Sequence, residues 1–188
     1  MINTRLILLS LVFVFLVSCE NTPGISKPGE LETLPYYDIK GLLEEEIEKL
    51  DGSLVVKTSR INGQSNQTEV KLSKEQWMDE LDAFFEVDIN KSSYLNSFTT
   101  EVDKDELIHR LKPEEKSPIK EIRIRILEDR PKWITFKMSK ESPFYTSHTL
   151  GEIYFNNRTQ TIDHYSIEST QKIWFLKANN MKIQGAVK

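Results

Sequence analysis

Apolar residues recur at helical spacing in the first periodic segment of the chain. Within Tyr36–Leu50, aliphatic side chains are three or four positions apart and glutamates fill the intervening positions. This pattern predicts an amphipathic helix, which the turn-forming pair Asp51-Gly52 ends. A second helix is predicted at Ser73–Val87, because its first residue and Gln76 have the spacing of a capping box and apolar residues follow.

Most of the remaining pattern has a period of two, which indicates strands with one buried face. Two β-rich runs, Leu54–Ile61 and Thr68–Leu72, flank a polar loop and predict a hairpin. Between residues 88 and 118 the pattern weakens, and we predict irregular chain with one short strand and one short helix, at Phe98–Val102 and Asp105–Leu111. Later strands are predicted around Ile122–Ile126 and Ile134–Met138, and at Tyr145–Phe155, Thr159–Ile167, Lys172–Leu176 and Met181–Val187.

These elements predict the α+β class, with a twisted antiparallel β-sheet meander of about six to eight strands covered on one face by two N-terminal helices. Consecutive strands with short connections pair antiparallel, and no crossover helices interrupt the C-terminal run. A small open β-barrel is the alternative. Residues 36–188 are expected to form a single α+β domain, since one core suffices for a chain of this length.

The N-terminus has the layout of an export signal. Arg5 precedes an apolar stretch, Leu6–Val17, that only one serine interrupts. As a helix this stretch would be about 18 Å long, well short of the roughly 30 Å hydrocarbon core of a bilayer. A cleaved signal peptide is therefore expected rather than a membrane span.

The apolar stretch ends in Leu16-Val17-Ser18-Cys19, and the cysteine is the only one in the chain. This sequence resembles the lipobox of bacterial lipoproteins that signal peptidase II matures. The resemblance covers the first nineteen residues and implies cleavage between Ser18 and Cys19. It also implies that a diacylglyceryl group, with acyl chains such as palmitate, is linked to the Cys19 sulfur by a thioether. Residues 1–18 would then be the signal peptide and residues 19–35, rich in proline and glycine, a lipidated flexible tether.

The charge balance of the chain limits the partners that it is expected to bind. The chain carries 25 basic and 29 acidic residues, a formal net charge of −4, and loss of Arg5 with the signal makes it −5. Such a surface lacks the concentrated basic footprint that nucleic acid requires. The expected partners are the membrane, through the lipid anchor, and an envelope protein, glycan or lipid. Glu20 replaces the aspartate that resembles an inner-membrane retention signal, which favours the outer membrane and its periplasmic leaflet.

Catalytic and metal-binding motifs are sparse in the sequence. Glycine-rich phosphate loops and a G-x-S-x-G elbow do not occur, so neither a cofactor nor an enzymatic activity is expected. With Cys19 used for anchoring, a zinc site is not expected either. The simplest hairpin register would place His148 and His164 on opposite faces of the sheet, which also argues against a shared metal.

Five aromatic residues of the predicted sheet could line an apolar ligand site or pack as core against the helices. They are Trp133, Tyr145, Tyr154, Tyr165 and Trp174. Core packing is favoured, because amphipathic helices need an apolar partner surface. The first functional hypothesis is therefore a non-catalytic, lipid-anchored envelope binding or assembly module. The alternatives are a carrier that encloses a lipid or other apolar ligand and, third, an envelope hydrolase.

Overall fold

The computed structural model describes residues 34–188; the predicted signal peptide, Ser18, Cys19 and most of the tether lie outside the described residues. Three helices occur in this part: α1 (Ile39–Leu50), α2 (Lys74–Glu80) and α3 (Asp82–Glu86). The strands are β1 (Leu54–Ile61), β2 (Gln64–Lys71), β3 (Phe98–Asp103), β4 (Glu106–Leu111), β5 (Ile119–Leu127), β6 (Arg130–Ser142), β7 (Tyr145–Phe155), β8 (Ile162–Ile173) and β9 (Asn179–Val187). A 3₁₀ turn, Ser92–Tyr94, precedes β3.

All nine strands belong to one antiparallel sheet with the order β2-β1-β9-β8-β7-β6-β5-β4-β3. Strands β3 to β9 form a meander, and the β1–β2 hairpin joins it because β1 pairs with β9. The α+β class with an antiparallel sheet is confirmed, and the sheet is open, with β2 and β3 at its edges. The expected count of six to eight strands was too low.

The helices differ in part from the prediction. Helix α1 forms where expected, and Asp38 caps it by accepting a hydrogen bond from the Gly41 amide. The capping box of Ser73 and Gln76 is confirmed. The segment that follows is two short helices rather than one, separated at Leu81, and both come after the first hairpin. The prediction of two N-terminal helices is thus correct only in part, because three helices form and only α1 precedes the first strand.

Three strand assignments also needed correction. The segment Glu106–Leu111, predicted to be helical, is strand β4. The first hairpin turns tightly at Asn62-Gly63, both with positive φ (50° and 89°), which is the geometry of a two-residue primed turn. The predicted strand at Lys172–Leu176 is the end of β8 followed by a turn.

The core lies between the helices and one face of the sheet, which we call the inner face. Its largest fully buried side chains include Trp77 and Phe84 from the helices and Phe136 and Tyr165 from the strands. Ring pairs hold the layers together: Trp77 meets Tyr165 edge-on at 6.1 Å, and Phe84 meets Phe136 edge-on at 4.9 Å. Such pairs add to the free energy gained by burial alone.

Glycine on a neighbouring strand makes room for each of the two sheet aromatics. A Cβ at Gly151 would lie 2.1 Å from Cε1 of Phe136, and one at Gly185 would lie 2.2 Å from Cζ of Tyr165. Both distances are far below van der Waals contact, so the two rings lie directly against glycine backbone. These glycines thus set the position of the core aromatics.

Candidate functional site

The structure separates the five aromatics that the sequence singled out. Tyr145 and Tyr165 belong to the inner face, while Trp133 and Tyr154 are directly opposite each other on the outer face. Trp174 lies in the turn after β8 and is 71% exposed. Only Tyr165 is a fully buried core residue. The five residues therefore do not line a common surface.

An exposed apolar cluster instead occupies one end of the sheet. It consists of side chains from the β6–β7 turn, the end of β8 and the β8–β9 turn, which we call the apolar tip: Phe144, Ile173, Trp174, Phe175 and Leu176. Phe144 is 64% exposed and Phe175 79%, and every member is at least 40% exposed. The tip therefore presents five large apolar side chains to solvent at one point of the molecule.

Backbone and ring contacts join the two turns of the tip. The Trp174 amide donates a hydrogen bond to the carbonyl of Phe144 at 3.0 Å. Their rings are 6.1 Å apart at an angle of 49°. Within the second turn, the Leu176 amide donates to the carbonyl of Ile173 at 2.9 Å. The tip is thus an ordered part of the sheet.

Turns of soluble proteins are usually polar, since their backbone is exposed and glycine, asparagine, aspartate and serine suit their dihedral angles. Here four consecutive apolar residues, Ile173 to Leu176, are exposed. A solvent-exposed run of this kind weakens solubility unless it serves a function. The tip is therefore the strongest candidate for a functional surface in the described part.

Polar groups around the tip give it a basic border. Lys172 precedes the apolar run and Lys177 follows it, both exposed, while Glu141 is the acidic residue near the end of β6. The β1–β2 turn lies beside it, because the Asn180 amide donates to Oδ1 of Asn62 at 3.0 Å. Ile61 in that neighbouring hairpin is 50% exposed. The apolar surface thus extends toward β1.

A cluster of charges on the outer face is held by one carboxylate. Glu121 accepts hydrogen bonds from Nε of Arg110 (2.9 Å), Nε of Arg123 (2.9 Å) and Nζ of Lys137 (3.0 Å). Partial burial would raise the pKa of Glu121, but the hydrogen bonds from Arg123, Arg110 and Lys137 outweigh burial and bring this pKa to about 2. The cluster ties β4, β5 and β6 together, so we assign it a structural role.

Replacing Glu121 with glutamine is expected to lower the free energy of unfolding at pH 7 by about 2 kcal/mol, because three cations lose their shared anion. In the wild type, this contribution should be present above pH 4.5 and fade as pH falls toward 2, since the folded pKa is the lower one. Urea unfolding at pH 7 and pH 3 measures both effects. Glu168→Gln, at an exposed pair with Lys182, is the matched control and should cost less. Equal losses in the two variants would contradict the role given to Glu121.

The two histidines of β7 and β8 lie on the same face, contrary to the expectation of opposite faces. A register shift next to Tyr154 places His164 opposite that tyrosine, and their rings stack at 4.5 Å. His148 pairs with Thr170, six positions away along β7, about 20 Å in an extended strand. Among residues 34–188, no group of three His, Cys, Asp or Glu side chains is placed to hold a metal ion.

A groove of about 400 Å³ lies between α1 and the turns β5–β6 and β7–β8. Glu46 lines it and is only 2% exposed. One carboxylate oxygen accepts a hydrogen bond from Lys49 at 2.5 Å, and the other, Oε2, has no partner among the described groups. Because Oε2 is itself inaccessible to solvent, the groove does not present it to a ligand.

The carrier hypothesis requires an apolar cavity between the helices and the sheet, so the side chains found there are relevant to it. Burial raises the pKa of the Tyr165 hydroxyl, and Glu80, which accepts its hydrogen bond at 2.7 Å, raises it further. Glu80 also forms an ion pair with Lys57. Next to them, a groove of about 260 Å³ on the inner face, lined in part by Tyr145, Ser147 and Ser169, is open to solvent. Large buried side chains, among them Trp77, Phe84 and Tyr165, occupy the space between the helices and the sheet.

The chain was compared with protein-family models, with curated proteins and with solved structures, and none of them matches it. Within residues 34–188 no helix is both long enough and apolar enough to cross a membrane.

The sequence patterns did not single out the apolar tip. Its second turn was interpreted as a strand, which would have buried alternate residues. The available signal was the absence of alternation: Ile173-Trp174-Phe175-Leu176 has no polar position between its apolar ones. A strand with one solvated face would show such positions.

Proposed function

We propose that the protein is a non-catalytic, lipid-anchored module of a bacterial cell envelope that binds its partner through the apolar tip. The observation that carries this proposal is the exposure of Phe144, Trp174 and Phe175 at the end of an ordered sheet. Exposed apolar clusters of this size mark interaction surfaces in folded proteins. The lipobox-like sequence at residues 16–19 supports the location.

The positions of the described groups with strongly shifted pKa values support binding rather than catalysis. His109, Glu121 and Tyr165 each form hydrogen bonds with neighbouring strands or helices. His109 and Glu121 lie on the adjacent strands β4 and β5 but on opposite faces of the sheet, and Tyr165 is three strands away on β8. A catalytic site would bring such groups together in one cleft. Each of the three instead stabilises its own part of the sheet.

An acyl anchor at Cys19 would supply what the folded domain lacks for stable attachment. A single acyl chain gives only marginal binding to a bilayer, whereas two or three chains hold a protein durably. The formal net charge of −5 that remains after loss of the signal offers no general attraction to anionic headgroups. We infer that the lipid attaches the protein and that the tip determines what it binds there.

Metabolic labelling with a clickable fatty acid tests the anchor. The wild type is expected to be labelled and to sediment with membranes, while Cys19→Ala should be unlabelled, because the thioether cannot form. Ser10→Ala, a change inside the apolar stretch that leaves residues 16–19 intact, is the matched control and should be labelled like the wild type. An unlabelled wild type, or a mature chain that begins at another residue, would overturn the proposal.

A further inference from the structure

We propose that the apolar tip inserts into the interfacial layer of the bilayer that carries the acyl anchor, among anionic phospholipid headgroups. This inference rests on the function proposed above and names the partner of the same surface. The residues that enter the bilayer are Phe144, Trp174, Phe175 and Leu176, and the adjacent lysines meet the headgroups.

The composition of the tip fits a lipid surface. Tryptophan and phenylalanine favour the boundary between headgroups and acyl chains, where an apolar ring is buried while polar atoms stay hydrated. Trp174 and Phe175 are the most exposed large aromatics of the tip, at 71% and 79%. Both lie in the turn between β8 and β9 at the end of the sheet, where their exposed rings can enter a lipid layer together.

Charge around the tip is complementary to anionic headgroups. Lys172 and Lys177 border the apolar run and are exposed. No ion pair joins either lysine to an acidic side chain in the part of the chain that the structure describes. By contrast, Lys140 and Lys182 nearby are paired with Glu86 and Glu168. Two unpaired cations thus sit at the end of an otherwise acidic protein, and each basic residue near an anionic surface favours binding.

The chain that leads to the anchor is long enough for both attachments to reach one membrane. The first described residue, Leu34, is fifteen positions after Cys19, and that length of chain spans at most about 50 Å. The chain is fixed to the sheet just after Leu34, because the Tyr36 hydroxyl accepts a hydrogen bond from the Phe98 amide at the start of β3. Helix α1 then begins. The acyl group can therefore lie in the same leaflet as the tip.

Insertion of the tip would orient the domain. Strand β6 has 13 residues and ends next to the tip, so its other end lies about 40 Å away along the strand. The turns β5–β6 and β7–β8, and the groove that contains Glu46, are at that far end. Two-point attachment would thus hold this groove away from the lipid.

Quenching of tryptophan fluorescence by brominated lipid tests the inference. The lipidated protein is purified from its own membrane and reconstituted into protein-free vesicles of phosphatidylcholine, with or without phosphatidylglycerol, brominated near the headgroup. Trp77 is buried and Trp133 half-buried, so Trp174 is the expected quenched residue. The quenched fraction should be about threefold higher in the wild type than in W174F. Changing Lys172 or Lys177 to glutamine should lower the insertion equilibrium in anionic vesicles by about fivefold for each lysine removed.

Phe175→Ser should bring quenching down to the level of W174F, whereas Leu150→Ser should leave it unchanged. Leu150 is a matched control because it is 47% exposed and lies on the outer face of β7. Since Phe175 and Leu150 are both exposed, neither change removes core contacts, and thermal unfolding checks that both variants fold.

The outcomes separate the two proposals. Mass spectrometry of the purified protein reports the acyl group at Cys19, so its absence would contradict the anchored function itself. An acylated protein whose Trp174 is not quenched would overturn tip insertion while leaving the anchor intact. If Trp174 fluorescence shifts only in native membranes that retain other proteins, the tip binds a protein and insertion into lipid is refuted.

Discussion

Replacing Trp77 with alanine is expected to lower the free energy of unfolding by about 3–5 kcal/mol, the cost typical of deleting a buried tryptophan. The side chain is 0% exposed. Its Nε1–H donates a hydrogen bond to the carbonyl of Leu50 at 3.0 Å, and its ring meets Tyr165. Trp77 therefore joins α1, α2 and the sheet, and alanine would leave a cavity and remove one of the two hydrogen bonds that the Leu50 carbonyl accepts. Equilibrium unfolding in urea measures the loss.

Met78→Ala is the matched control for Trp77, because it changes the neighbouring residue of the same helix. Met78 is 42% exposed, so its truncation should cost well under 1 kcal/mol. Trp77→Phe should give an intermediate loss, since an aromatic ring remains but the hydrogen bond to Leu50 does not. Similar midpoints for the alanine variants of Trp77 and Met78 would contradict the central position of Trp77.

The second large effect is a loss of stability in mild acid that depends on His109. Its side chain is 1% exposed. Burial lowers its pKa to about 4, below the usual 6.5. Between those two values the unfolded chain binds a proton that the folded chain excludes. Stability should therefore fall as pH drops from 6.5 to 4, by about 3 kcal/mol, and this contribution should not decline further below pH 4.

The contacts of His109 favour the neutral form of its imidazole ring. Nδ1 lies 2.9 Å from the Thr100 hydroxyl, Nε2 accepts from the Tyr37 amide at 3.4 Å, and the Tyr36 ring is 5.4 Å away. No charged side chain is among these contacts. Carboxylates elsewhere also titrate in acid, so the measurement is the difference between wild type and His109→Gln across the pH range. Parallel stability curves for the two proteins would disprove the assignment to His109.

The elements that the sequence predicted well are those whose pattern follows from one buried face. Helix α1 has its apolar stripe on one side, and the alternation in β5 and β6 matches residues buried on the inner face. The capping box at Ser73 could be predicted because it depends on local hydrogen bonds alone. Tertiary contacts change none of these signals.

Strand β4 was mistaken for a helix for a physical reason. Two consecutive residues of β4, Ile108 and His109, are only 4% and 1% exposed, although successive residues of a strand point to opposite faces. His109 faces the core, and Ile108 lies on the outer face between Glu101 and Arg123 in the register. Long charged side chains can cover an apolar neighbour with their stems. A strand buried on both faces loses its alternation, so its pattern resembles a helix.

The exposure of the apolar tip could not be predicted for a different reason. Local sequence cannot tell whether a short apolar run is buried, because burial depends on strands that are distant along the chain. Phe144 and Trp174 come together only through the pairing of Tyr145 with Ile173. Likewise, the register shift beside Tyr154 moved His164 to the outer face, and nothing in the spacing of the residues indicated it.

The pairing of β1 with β9 connects the two ends of the described chain. Val55 lies opposite Val187, 132 positions later, so this ladder closes by far the longest loop in the sheet. Contacts of such high sequence separation form slowly, because much chain entropy is lost before they stabilise the fold. Since β9 is synthesised after the other eight strands of the sheet, the β1–β2 hairpin has no neighbouring strand until the rest of the sheet has been made. During that interval the exposed edge of β1 is open to pairing with other chains, so the final strand protects the nascent protein against aggregation.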